Sequence, residues 1–158
     1  MKPLEHFLWI GDVDILVGYE GAYLCFISDL DICNDGSGPD YDDPHHQAQT
    51  AYYNDGKFLN ADIDKYIVIP PQIRKGVIPA VMGCQGRMTN LGTGQWSAAV
   101  TGEIGPDDKT GEAAYCLAKE LQPKITHNSG DSRLIYLYEL WPGLPAVVDG
   151  KLYKLESA

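Results

Sequence analysis

Glu103 and Glu112 are the two residues of this chain best placed to do chemistry together. They bracket the stretch Gly102-Glu103-Ile104-Gly105-Pro106-Asp107-Asp108-Lys109-Thr110-Gly111-Glu112-Ala113. Cleaving a glycosidic bond needs such a pair: one carboxylic acid to protonate the departing oxygen, and one carboxylate to activate water or attack the sugar. Read as strand, Gly/Pro turn and helix, the stretch sets Glu103 at a strand end and Glu112 in a first helical turn, both facing one cleft. The positive end of a helix favours an ionised carboxylate, which suits Glu112 to the base role. A half-buried position would keep Glu103 protonated as the acid. Spacing alone also allows a plainer account. Glutamates nine residues apart are ordinary in an acidic chain, and Glu in a first turn commonly complements the helix dipole.

A second concentration of charge lies in Ser28-Asp29-Leu30-Asp31-Ile32-Cys33-Asn34-Asp35-Gly36-Ser37-Gly38-Pro39-Asp40-Tyr41-Asp42-Asp43-Pro44, six aspartates with no Lys or Arg among them. A calcium loop started at Asp31 places Asp35 and Gly36 correctly, but puts Cys33 at a ligand position and Asp42 where a bidentate Glu belongs, so no metal is expected. The remaining readings are a turn-rich solvated loop and a negative wall that attracts a polycation. His45, His46 and His127 have no convincing partner spacing. Trp96, Tyr115, Trp141 and the Tyr136/Tyr138 pair can offer stacking surface for sugars, though aromatics on strands are more often core.

The elements that must position these residues read as short strands. Ala22–Ser28, Tyr66–Ile69, Val77–Met82, Trp96–Thr101 and Arg133–Leu140 are β-branched or aromatic runs bounded by Gly, Pro, Asn or Asp. Ala146–Val148 and Leu152–Leu155 flank Asp149-Gly150, a two-residue hairpin signal. Thr110–Leu121 is the best helix, with Ala113, Leu117 and Leu121 at helical spacing and Pro123 to stop it. Residues 29–53 read as a long polar loop, a length that usually carries function. The expectation is a mainly β domain, a small closed barrel with one principal α-helix packed on it.

With 158 residues the chain fits one domain spanning 1–158 and can bury a real core. A net charge of −10 argues against nucleic acid or an anionic membrane as partner and permits a cationic one, although acidity can also serve only to keep the chain in solution. No stretch has the length of a membrane span, and the N-terminal residues lack a secretory apolar run with its cleavage site. Cys25, Cys33, Cys84 and Cys116 form no Cys-x-x-Cys pair, which disfavours zinc and leaves free thiols or disulfides open.

Taken in order, several blocks resemble glycoside hydrolase family 75, the fungal and bacterial endo-chitosanases. They are Asp29-Leu30-Asp31-Ile32-Cys33-Asn34-Asp35-Gly36, then Gln47-Ala48-Gln49-Thr50, then Asp55-Gly56-Lys57-Phe58-Leu59-Asn60-Ala61 with Tyr66-Ile67-Val68-Ile69-Pro70. The last is Gly102-Glu103-Ile104-Gly105-Pro106 with Gly111-Glu112-Ala113-Ala114-Tyr115, where the family's Asp is replaced by Glu103. The resemblance implies a double-psi-like barrel and inverting endo-cleavage of β-1,4-glucosamine chains. It further implies Glu103 and Glu112 as the catalytic pair, and a substrate-binding set drawn from Asp29, Asp31, Asp35, Gln49, Asn60 and Tyr115. No cofactor is implied, and the partner is a cationic or amino-sugar polysaccharide; localisation stays open, with action after secretion or phage release compatible with that partner. Two alternatives stay open: a phage-type peptidoglycan hydrolase, and a catalytically dead barrel used for glycan binding or virion assembly.

Overall fold

A computed structural model describes residues 4–54, 56–76 and 78–156, without the side chain of Asn54. In chain order the strands are β1 Glu5–Ile10, β2 Val13–Gly18, β3 Tyr23–Cys33, β4 Tyr53–Asn54, β5 Lys57–Phe58, β6 Tyr66–Ile69, β7 Cys84–Asn90, β8 Trp96–Ile104, β9 Glu112–Ala114, β10 Asp131–Pro145, β11 Val147–Val148 and β12 Lys151–Leu152. Among the described residues two α-helices accompany them, α1 Pro71–Arg74 and α2 Tyr115–Leu121, with a short 3-10 helix at Tyr19–Gly21. Strands β3, β10, β7, β8, β6 and β9 pair in that order, and β9 returns to β3, which closes a six-stranded barrel. Closure removes the open edges that a sheet of this size would expose. The β3–β9 and β6–β8 pairings are parallel, and the other four of the ring are antiparallel.

The barrel interior is filled by large side chains whose polar tips are satisfied. Phe26 and Tyr138 stack at 5.0 Å, and the Tyr138 hydroxyl donates to the Asp29 carbonyl at 2.6 Å. Tyr66, fully buried, donates to the Asp35 carbonyl at 2.8 Å. A buried phenol without such a partner would pay its full desolvation cost. Helix α2 turns Leu117, Ala118 and Leu121 inward against β3, β8 and β9. No helix among the described residues is long and apolar enough to cross a membrane.

Several local expectations need correction. The helix begins at Tyr115, because Glu112–Ala114 is a strand wedged between β3 and β6. Pairing on both sides overrides the helix propensity of Glu-Ala-Ala. Gly111 permits the entry: its φ is +88°, and an added Cβ would stand 2.1 Å from Asp29 Oδ1. Val77–Met82 holds no strand among its described residues (Val77 lies outside them), and the barrel strand there is β7 instead. The polar loop after Ser28 is shorter than expected, since β3 runs on to Cys33. The hairpin at Asp149-Gly150 is present, with φ of +50° and +82° as a two-residue turn of this type requires. Its second strand ends at Leu152. A second hairpin, β1–β2, extends β3 at its N-terminal half.

Candidate active site

Both glutamates reach one open cleft of about 780 Å³, because of strand register. Val68 on β6 pairs with Glu103 on the β8 side and with Glu112 on the β9 side. Residues directly opposite one another point to the same face of a sheet, so Glu103, Val68 and Glu112 form a row across three strands. Two strand spacings put the glutamate Cα atoms roughly 10 Å apart. Lys109, Asn34, Asp35, His46 and Gln47 also line the cleft.

The register depends on an irregularity. Ile67 pairs with Thr101 but Val68 pairs with Glu103, so Gly102 is an extra residue on β8. Bulges of this kind re-aim the following side chain, here Glu103. Only glycine fits, since an added Cβ would meet Leu59 Cδ1 at 2.3 Å and Tyr66 Cβ at 2.9 Å. Gly102→Ala is therefore expected to cost about 1–3 kcal/mol by overpacking and to swing Glu103 out of place. An unchanged urea midpoint in that variant would show that the bulge does not depend on glycine.

Glu103 is 5% exposed. Its Oε1 accepts hydrogen bonds from the amides of Ala51 at 2.8 Å and Ile104 at 3.0 Å. Its Oε2 is buried and has no donor, and it faces the Asp35 carboxyl. Burial first, and the Asp35 carboxyl second, push the Glu103 pKa up to about 8, against the pull of the two amides. A carboxyl this close to another ionises less readily, which favours the protonated form of Glu103. Asp35 is itself anchored, accepting from the Gln47 amide at 2.8 Å.

Glu112 sits in a different setting. It heads a strand, so the expected help from a helix terminus is absent. Its partner is Lys109, whose Nζ lies 3.1 Å from Glu112 Oε1 and 3.1 Å from Asp31 Oδ2. Burial lowers the Lys109 pKa, and the two carboxylates more than offset it, so the ammonium is held above its ordinary range. Lys109, three residues before Glu112, was legible as an i,i+3 partner but was not singled out. The Ala51 amide and the buried, unpartnered His46 Nε2 in the cleft wall had no signal in the sequence beyond their position in the polar loop.

Of the expected substrate-binding residues only Asp35 lines the cleft with the glutamates. Asp29 stands against Ser28, 3.4 Å from its hydroxyl, and Asp31 is taken by Lys109. Gln49 is exposed outside the cleft lining. Asn60 braces the loop instead: it bridges Gly36, and its Oδ1 accepts from the Asp62 amide at 2.9 Å. Tyr115 stacks on His127 at 3.5 Å, and Tyr41 stacks on that ring's other neighbour position at the same separation. Tyr136 and Tyr138 are core. The acidic wall is thus narrower than the sequence suggests: Asp29 and Asp31 lie on β3, which ends at Cys33, and of the three only Asp35, beyond the end of that strand, lines the cleft.

Cys33 Sγ and the carboxylates of Asp35 and Glu103 lie within 4.8 Å of one another, the one such donor group among the described residues. Burial pushes the Cys33 thiol far up, and its sulfur lies 3.4 Å from the Tyr66 hydroxyl. Two of the three donors, the Cys33 thiol and the Glu103 carboxyl, are thus held toward their protonated forms. All four cysteines are free thiols. No family model matches the sequence, and no curated protein matches it.

Proposed function

We propose that the chain is an endo-glycosidase that hydrolyses β-1,4 bonds of chitosan-like, glucosamine-containing polysaccharide with inversion. Glu103 gives its proton to the departing glycosidic oxygen. Glu112 takes a proton from a water whose oxygen attacks the anomeric carbon from the opposite face. Glu103 then holds the negative charge and Glu112 the proton, and exchange with solvent resets both. The observation that carries the reading is the row Glu103–Val68–Glu112, which sets two carboxyls of unlike environment across one cleft. A Cα separation of roughly 10 Å leaves the side chains room for the 6.5–9.5 Å gap that inversion with an intervening water requires. The unlike environments divide the labour: a buried carboxyl paired with Asp35 is an acid at neutral pH, and a carboxylate beside Lys109 is ready to accept.

The resemblance to the chitosanases supplies the substrate class, and the net charge of −10 agrees with an ammonium-bearing polymer. The longer Glu103 is accommodated by folding Oε1 back onto the Ile104 amide of its own strand. Release of reducing ends from chitosan, compared with purified peptidoglycan, tests the assignment. Cleavage of peptidoglycan alone would move the substrate to the cell wall. Cleavage of neither would leave the barrel a binding or assembly module.

A further inference from the structure

On the half of the barrel away from the cleft, four adjacent strands each contribute one flat side chain to a continuous row. Tyr23 lies on β3, Trp141 on β10, Arg87 on β7 and Trp96 on β8. The Tyr23 and Trp141 rings are 5.3 Å apart. The Arg87 guanidinium bridges the two tryptophans, 5.6 Å from the ring of Trp141 and 5.5 Å from that of Trp96. Glu139 fixes the middle of the row. It is 5% exposed, takes Arg87 Nε at 2.8 Å and Nη2 at 3.2 Å, and accepts from the Tyr23 hydroxyl.

We propose that this row is a second polysaccharide-binding surface, a stacking platform for a linear β-linked amino-sugar chain lying across the strands. Three properties point to that occupant. The flat groups follow one another obliquely across the strands at 5.3–5.6 Å, a repeat close to the length of one pyranose residue along an extended chain. Glu139 neutralises Arg87 inside the row, so the surface offers aromatic faces and no free cation, which suits the apolar face of a pyranose and not a phosphate or uronate polymer. The negative charge of the whole molecule favours a chain that carries ammonium groups. Trp96 is 59% exposed yet held against Arg87, so little side-chain freedom remains to be lost on binding. The choice of amino sugar rests on the proposed function, and the stacking surface does not.

Quenching of intrinsic fluorescence by partly acetylated chitosan reads the surface directly, because two of the three tryptophans lie in it. The experiment uses the full chain and its Trp96→Ala, Trp141→Ala and Trp96→Phe variants, with circular dichroism to confirm folding. Each alanine change is expected to weaken polymer binding about tenfold, and Trp96→Phe to retain most of it. The rate on short soluble oligosaccharides should stay at the wild-type value. Polymer affinity unchanged in Trp96→Ala overturns the platform, as does a Trp96-dependent dimer with no polymer binding. Tryptophan-dependent binding by a protein that cleaves nothing would sustain the platform while removing the proposed hydrolysis.

Discussion

Glu112→Gln and Glu103→Gln should each lower turnover of chitosan by about 10²–10⁴-fold while leaving the fold intact, the range for loss of one general acid or base. Glutamine keeps the shape of either side chain and removes proton transfer. The two sites predict different secondary effects. In Glu112→Gln, Lys109 loses one of its two carboxylate partners and keeps Asp31, so the ammonium stays paired. In Glu103→Gln, the amide oxygen can take the Ala51 and Ile104 amides, and the amide nitrogen occupies the place of Oε2 beside Asp35. Glu103→Asp is the harsher test of geometry. Shortening the side chain withdraws the carboxyl from both amides, and turnover should fall even though the acid group remains. Kinetics on all three variants, with unfolding midpoints measured alongside, check this. Turnover in Glu112→Gln equal to wild type would remove Glu112 from the chemistry.

Glu103→Gln should also make the protein more stable than wild type at alkaline pH, an inversion of the usual penalty for altering a buried residue. The native pKa of about 8 stands above the ordinary value of 4.5. Below pH 4.5 both folded and unfolded chains carry the proton and the group costs nothing. Between 4.5 and 8 the unfolded chain releases its proton and the folded one keeps it, so wild-type stability falls as pH rises. Above 8 the loss is complete. Glutamine has no such proton, so the advantage of the variant should grow from near zero at pH 4 to on the order of 2–4 kcal/mol at pH 8.5. For a domain of this size that is a rise in Tm of roughly 5–10 °C. Parallel thermal melts across this range test it, and a constant difference between the proteins would mean that Glu103 is not the buried acid.

Much of the barrel was legible where apolar or aromatic residues alternate. Tyr66–Ile69 matched to the residue, and the Asp149-Gly150 turn announced its hairpin. Strand β7 was missed although its burial alternates perfectly, because the inward positions hold Cys84, Gly86, Met88 and Asn90 rather than β-branched residues. Glu112–Ala114 was misread for the opposite reason: its local preference is helical, and only pairing with residues far away in sequence makes it a strand. The same distance effect governs the site. Glu103 and Glu112 were visible as a pair, but their common neighbour Val68 and the bulge at Gly102 are properties of register. Asp29 and Asp31 looked equivalent to Asp35 in a run of aspartates. On a strand that passes the cleft and then enters the loop, only the last of them turns toward Glu103.

The anomeric form of the first product tests the central claim most directly. Proton NMR of chitosan freshly mixed with wild-type protein should show new α-anomeric reducing ends before mutarotation mixes the forms, since inversion at a β-1,4 bond yields α product. The signal should be absent with Glu112→Gln. A β-anomer appearing first, or no new reducing ends at all, would contradict the assignment of Glu103 and Glu112 as acid and base across a water-filled gap.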